Sequence, residues 1–204
     1  MNILQQIIIL APPFLFALTI HEYSHGMVAY RLGDPTAHNL GRLTLNPLKH
    51  LDPLGVLAFI IMKIGWAKPV PVNPRYFRNP LKDMIWVALA GPGANLLTAI
   101  ASSLLAQLLV FFAAWIPKPI LFPLFQMVGA SIWINIILAV FNLLPIPPLD
   151  GSKVLMGLLP PRQAAAFSKL EPFGFIILLA LFYTGVLQKI LSPIIGLAEK
   201  MITG

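Results

Sequence analysis

Four stretches of this chain run free of charge far enough to cross a bilayer: Met1 to Ile20, Met84 to Pro117, Pro119 to Leu149 and Pro172 to Gln188. A spanning helix needs roughly 20 mainly apolar residues, with a working range of about 17 to 25. The last stretch is marginal unless it extends past Lys189. A fifth apolar run, Pro53 to Met62, is too short to span and predicts a re-entrant or interfacial piece.

Prolines and glycines punctuate the pattern. The first span is expected over about Ile3 to Leu32, bent at Pro12-Pro13 because each proline deletes a helical backbone bond, and stopped by Gly33-Asp34-Pro35. Thr36 to Leu81 is the longest stretch that does not span. Within it, the prolines at 69, 71 and 74 bar helix from Trp66 to Pro74 and favour an extended chain usable only as an edge strand. The second span opens near Asp83. The third ends around Leu144, where Pro145, Pro147 and Pro148 force the backbone out of helix. Irregular backbone at membrane depth is tolerated only where protein buries it or water reaches it, so this segment is expected to border a cavity. The predicted fold is all-α and integral to the membrane: one domain over residues 1–204, with four transmembrane helices, a re-entrant segment and a small extended element at 66 to 74. Neither a repeat nor a linker interrupts it.

Composition agrees. Hydrophobic residues make up 58% of the 204, charged residues only 10%, and the mean hydropathy is +0.83. A soluble chain would carry about a quarter charged residues. The absence of cysteine excludes disulfides and thiolate metal sites. The N-terminal run has neither a basic start nor a small-residue cleavage site, so a removable signal peptide is not expected. The net charge of +7 raises nucleic acid as a partner, but the positions of the charges argue against it. Arg31, Arg42, Lys49, Lys63, Lys68, Arg75, Arg78 and Lys82 lie between the first two spans, and Lys153, Arg162 and Lys169 between the third and fourth. Only Lys118, Lys189 and Lys200 fall on the other side. This is the positive-inside bias, and it predicts a multi-pass protein of the cell membrane with both termini outside the cytoplasm.

Chemistry concentrates in His21-Glu22-Tyr23-Ser24-His25. Positions i and i+4 of a helix share a face about 5 to 6 Å apart, so two imidazoles there can hold one zinc. Glu22, beside that face, can take a proton from a water activated there. Such pentapeptides also occur by chance on soluble surface helices. Here, however, the motif closes an apolar run, where every ionisable group is costly and usually functional. Catalytic zinc commonly takes three protein ligands. Among seven acids, Asp34 and Asp52 read as turn or cap residues, Asp83 as an N-cap, Glu171 as a loop residue and Glu199 as part of the tail. Asp150 differs, because it follows Pro145-Ile146-Pro147-Pro148-Leu149 on non-helical backbone. The topology puts it on the same cytoplasmic face as the end of the first span, so it can converge with His21 and His25. Its bland alternative is an aspartate capping the segment that starts at Ser152.

HEYSH in the first span, with FNLLPIPPLDG after a later one, resembles the site-2 protease family of intramembrane metalloproteases. Similar segments continue through Gly33-Asp34-Pro35, Gly41 to Pro47, Gly65 to Asn73 and Gly91 to Asn95, so the resemblance covers about residues 14 to 160. It implies that His21, His25 and Asp150 bind one zinc per chain and that Glu22 is the general base. It also implies that Asn142 contacts substrate or the developing oxyanion. The chain is similar to the compact branch without a PDZ or CBS module. The implied substrates are single-span membrane proteins, already shortened by a first cut, hydrolysed in or near their transmembrane segments beside the cytoplasmic face.

Other residues carry plainer expectations. His38 and His50 read as interfacial or hydrogen-bonding histidines, with His50 open to a role behind the ligands. Gly91, Gly93 and Ala94 read as close-approach positions between helices. Asn95 divides evenly between bonding a neighbouring helix and bonding the catalytic region. Lys153 reads as a snorkelling interfacial cation. Because a helical peptide bond is shielded by its own ladder, a substrate must unwind, and the stretch Trp66 to Asn73 is expected to pair with it as an added strand. Val70 and Val72, of one parity, would then present their N–H groups to it. The rival from another class is a membrane metal-binding or transport protein using the same His and Asp ligands, which would need no base at Glu22. Hydrolysis of a lipid or a lipidated tail is a third reading.

Overall fold

The computed structural model describes residues 2–55 and 67–203. Helix α1 covers Ile3–Arg31 and opens on a capping box, in which Asn2 Oδ1 accepts from Gln5 N–H while Gln5 Oε1 accepts from Asn2 N–H. It ends before Gly33, whose φ of 104° is open to glycine at little cost. A short helix, α2 (Thr36–Asn39), follows, and then a 3-10 turn at Pro47–Lys49. Helix α3 (Pro80–Phe111) starts one turn earlier than Asp83. Asp83 is therefore not the cap itself, but Asn79 N–H donates to its carboxylate at 2.9 Å. Helix α4 covers Lys118–Asn142. Four shorter helices follow α4: α5 (Asp150–Leu158), α6 (Pro161–Ser168), α7 (Gly174–Tyr183) and α8 (Val186–Thr203).

Among the described residues, four helical segments are long and apolar enough to cross a membrane: α1, α3, α4 and Pro161–Tyr183, which joins α6 to α7. The protein is a multi-pass membrane protein. The fourth segment departs from the expected Pro172–Gln188. Gly185, with φ at 72°, breaks the helix after Tyr183, and the residues beyond form α8. Leu191, Ile195, Ala198 and Ile202 of α8 pack on Ala99, Ile132, Ile136 and Val140 of α3 and α4.

Helices α1, α3 and α4 pack against one another, with α5 against α3. The burial pattern inverts that of a soluble protein. Leu97, Leu104, Phe111, Ile120 and Phe122 face outward, while His21, Glu22, Asn95, Asn135 and Asp150 are buried between helices.

The small extended element takes a different form from the one expected. Among the described residues there is no strand, only an isolated antiparallel bridge between Leu51 and Ala67. Lys68 to Asn73 is irregular. The physical reason lies in its donors. Pro69 and Pro71 have none, Lys68 N–H goes to His50 O, and the N–H groups of Val70 and Asn73 turn inward to the carboxylates of Glu22 and Asp34. Most of the Pro53 to Met62 run, read as re-entrant, lies outside the described residues.

Candidate metal centre

His21 and His25 sit one turn apart on α1, with ring centroids 4.6 Å apart and planes nearly perpendicular. Each ring is oriented from behind. His21 Nδ1 lies 2.6 Å from Asn95 Oδ1, and His25 Nδ1 lies 2.6 Å from Val87 O. Both partners are acceptors, so the Nδ1 atoms carry the protons and the Nε2 atoms offer lone pairs. The two Nε2 atoms are 3.0 Å apart, and Asp150 Oδ2 lies 3.1 Å from each.

With both Nδ1 positions so engaged, three electron-pair donors face one another in a buried place. Such an arrangement repels itself unless a proton or a metal ion sits among them, and His21, His25 and Asp150 together could hold one metal ion. Two imidazoles and a carboxylate suit zinc with one coordination position left open. Asp150 is the first residue of α5, whose N-cap is Leu149 and carries no side-chain cap bond. Its side chain turns to the histidines.

Helix α3 makes room for the site. A Cβ on Gly91 would stand 2.4 Å from His25 Nε2 and 2.7 Å from His21 Nε2, whereas Gly93 has open space. Only at position 91 does a side chain collide with the ligands, which sharpens the plain close-approach reading.

A cavity of about 300 Å³ opens on the centre, lined in part by His21, Glu22, His25, Val70, Val72, Asn142, Asp150 and Lys153. Glu22 Oε2 accepts from Val70 N–H at 2.7 Å. The expectation that Val70 offers its N–H to a substrate fails here, because that donor is already spent on Glu22. Val72 N–H has no hydrogen-bond partner among the described residues. Asn142 donates one amide hydrogen to Leu138 O at 2.9 Å, on its own helix. Lys153, read from sequence as a snorkelling cation, lines this cavity, with Nζ 3.9 Å from Asp150 Oδ1. The signal for it was its i+3 spacing from Asp150.

Several residues stand apart. His38 stacks on Tyr30. His50 is buried and its Nε2 lies 2.8 Å from Thr44 O. Neither lines the cavity. Asp34 is the turn residue its setting suggested: it accepts from Thr36 and, at 2.7 Å, from Asn73 N–H. Asn95 does both things expected of it, bonding His21 and, through its amide, Ala17 O and Asn135 Oδ1.

A model of peptidase family M50 matches residues 120–183, a segment that includes Asn142 and Asp150. Over 188 residues, 92% of its length, the chain is 39% identical to YwhC of Bacillus subtilis and covers 86% of that protein. The chain belongs to peptidase family M50, the site-2 protease family. It is also 33% identical to Rip2 of Mycolicibacterium smegmatis over 86% of its length and 67% of that relative. The names of YwhC and Rip2 assign both as zinc metalloproteases. No solved structure gave a significant match. The M50 match covers one part of the site, and the relatives' similarity extends over nearly the whole chain.

Proposed function

We propose that this M50 protein is a zinc metalloprotease that hydrolyses peptide bonds in or near the transmembrane segments of single-span membrane proteins. The observation that carries the reading is the meeting of His21, His25 and Asp150 beside Glu22 in one buried cavity. Both motifs of the sequence contribute to it.

His21, His25 and Asp150 would hold the zinc. Bound there, zinc supplies a Lewis acid that polarises a scissile carbonyl and lowers the pKa of water towards about 7. Glu22 then acts as general base through Oε1, since Oε2 is held by Val70 N–H. It takes a proton from the attacking water and returns it to the leaving amine as the peptide bond breaks. Asn142, on the cavity wall, retains a second amide hydrogen for the carbonyl oxygen as it gains charge. An unwound substrate strand would pair beside the irregular segment through Val72 N–H and the Val70 carbonyl. The cavity would open towards the cytoplasmic face, and the positive-inside bias supports that sidedness.

The test is reconstitution of the purified protein into lipid vesicles with candidate single-span substrates, with metal analysis alongside. Cleavage that stops on chelation and returns with zinc supports the reading. Zinc flux without cleavage would instead favour transport, and release of only a lipid-modified tail would redirect the substrate class.

A further inference from the structure

Behind the metal centre lies a buried chain of side-chain amides that proteolysis does not use directly. His21 Nδ1 bonds Asn95 Oδ1 at 2.6 Å, and Asn95 Nδ2 donates to Ala17 O at 3.0 Å and to Asn135 Oδ1 at 2.8 Å. Asn135 Nδ2 in turn donates to Ser131 O at 2.8 Å. Both asparagines are fully buried. Three helices contribute: α1 gives His21 and Ala17, α3 gives Asn95, and α4 gives Asn135 and Ser131.

The direction of this chain is determined at both ends. A main-chain carbonyl can only accept, so Ala17 O and Ser131 O each require an amide nitrogen facing them. Asn135 must therefore turn its oxygen towards Asn95, and Asn95 must turn its oxygen towards His21. An oxygen there requires a proton on Nδ1, which leaves the Nε2 lone pair aimed at the metal position. Flipping either amide would set donor against donor, or acceptor against acceptor, at a fully buried place.

We infer that Asn135, two hydrogen bonds from the nearest ligand, is a positioning residue of the metal site: through Asn95 it fixes the tautomer and ring plane of His21. The assignment rests on His21, His25 and Asp150 being the zinc ligands, and does not depend on the substrate.

The experiment measures zinc affinity of the full-length protein in detergent or lipid discs by chelator competition. It adds the absorption spectrum of the cobalt(II)-loaded form and imidazole nitrogen NMR of the metal-free form. Asn135→Leu removes the acceptor for Asn95 and should weaken zinc binding roughly 10- to 100-fold, the range for residues that orient a metal ligand. It should also shift the cobalt spectrum and give His21 mixed tautomers. Asn135→Asp, which as the neutral acid keeps an acceptor for Asn95 and a donor for Ser131 O, should restore most of the affinity. Ser103→Ala, on α3 but bonded to Ile202 O of α8, controls for loss of a buried polar group and should bind zinc like the parent. His21→Ala, run alongside, tests the ligand set itself. If it loses zinc while Asn135→Leu binds as tightly as the parent, the ligands stand and the relay is overturned. Equal weakening by Ser103→Ala would also overturn it, since the effect would then be general. Should Asn135→Leu not fold, the metal-free parent decides: His21 protonated on Nδ1 agrees with the relay, and on Nε2 contradicts it.

Discussion

Val70 N–H donates to Glu22 Oε2 across 2.7 Å, fastening the proline-rich segment to the residue proposed as base. The same segment is held at its far end by Asn73 N–H on Asp34, and Arg42 bonds the carbonyls of Lys68 and Pro69. Its inward bonds set the orientation of a carboxylate instead of forming a ladder. The two valines, Val70 and Val72, are therefore expected to differ in role.

Val70→Pro removes the donor to Glu22 and should lower kcat. A hydrogen bond to a charged group is worth about 1.5–3 kcal/mol, roughly 10- to 100-fold in rate. Val72→Pro removes the donor left for substrate and should mainly raise KM. Zinc should remain in both variants. Steady-state kinetics on one cleavable substrate separates the effects, and equal effects on KM alone would show that Val70 does not orient the base.

Gly91→Ala places a methyl against both imidazoles, 2.4 Å from His25 Nε2. Zinc affinity should fall roughly 10- to 100-fold, the scale of lost ligand support. Gly93→Ala, one residue beyond Pro92 in open space, should bind zinc normally. Metal titration of the pair checks the helix approach that the site needs, and a Gly91→Ala protein with full zinc would refute it.

Much of this arrangement was legible in the sequence. Uncharged runs located three of the spans, because lipid leaves long apolar helices few alternatives. The His21–His25 spacing and the setting of Asp150 pointed to the residues that meet. Gly185 was harder to read, because its left-handed turn lies inside an apolar run that otherwise continues. The donors of Val70 and Asn73 were hidden as well, since main-chain N–H groups leave no sequence signal and their carboxylate partners lie 48 and 39 positions away. Lys153 resembled any interfacial lysine until α5 brought it beside Asp150.

Asn142→Leu removes an amide from the cavity wall. Turnover should drop about 10²–10³-fold if that amide serves the oxyanion. Zinc content and the melting profile should not change. Loss of zinc in this variant would mean a structural role instead.

Substrate unwinding offers a test on the other partner. Glycine or proline near the scissile bond should speed cleavage, because each weakens the helix that shields the peptide group. A series of single-span substrates differing only at those positions would show the trend in initial rates. Fastest cleavage of the most helical member would exclude unwinding as a requirement.

In the proposed mechanism Glu22 serves as base beside a zinc held by His21, His25 and Asp150. Zinc content and substrate cleavage of Glu22→Gln, measured on one preparation in lipid vesicles, test it most directly. Zinc should stay at the parental level with cleavage abolished, because the amide cannot accept the proton and the ligands are untouched. Cleavage at the parental rate by that variant would contradict it.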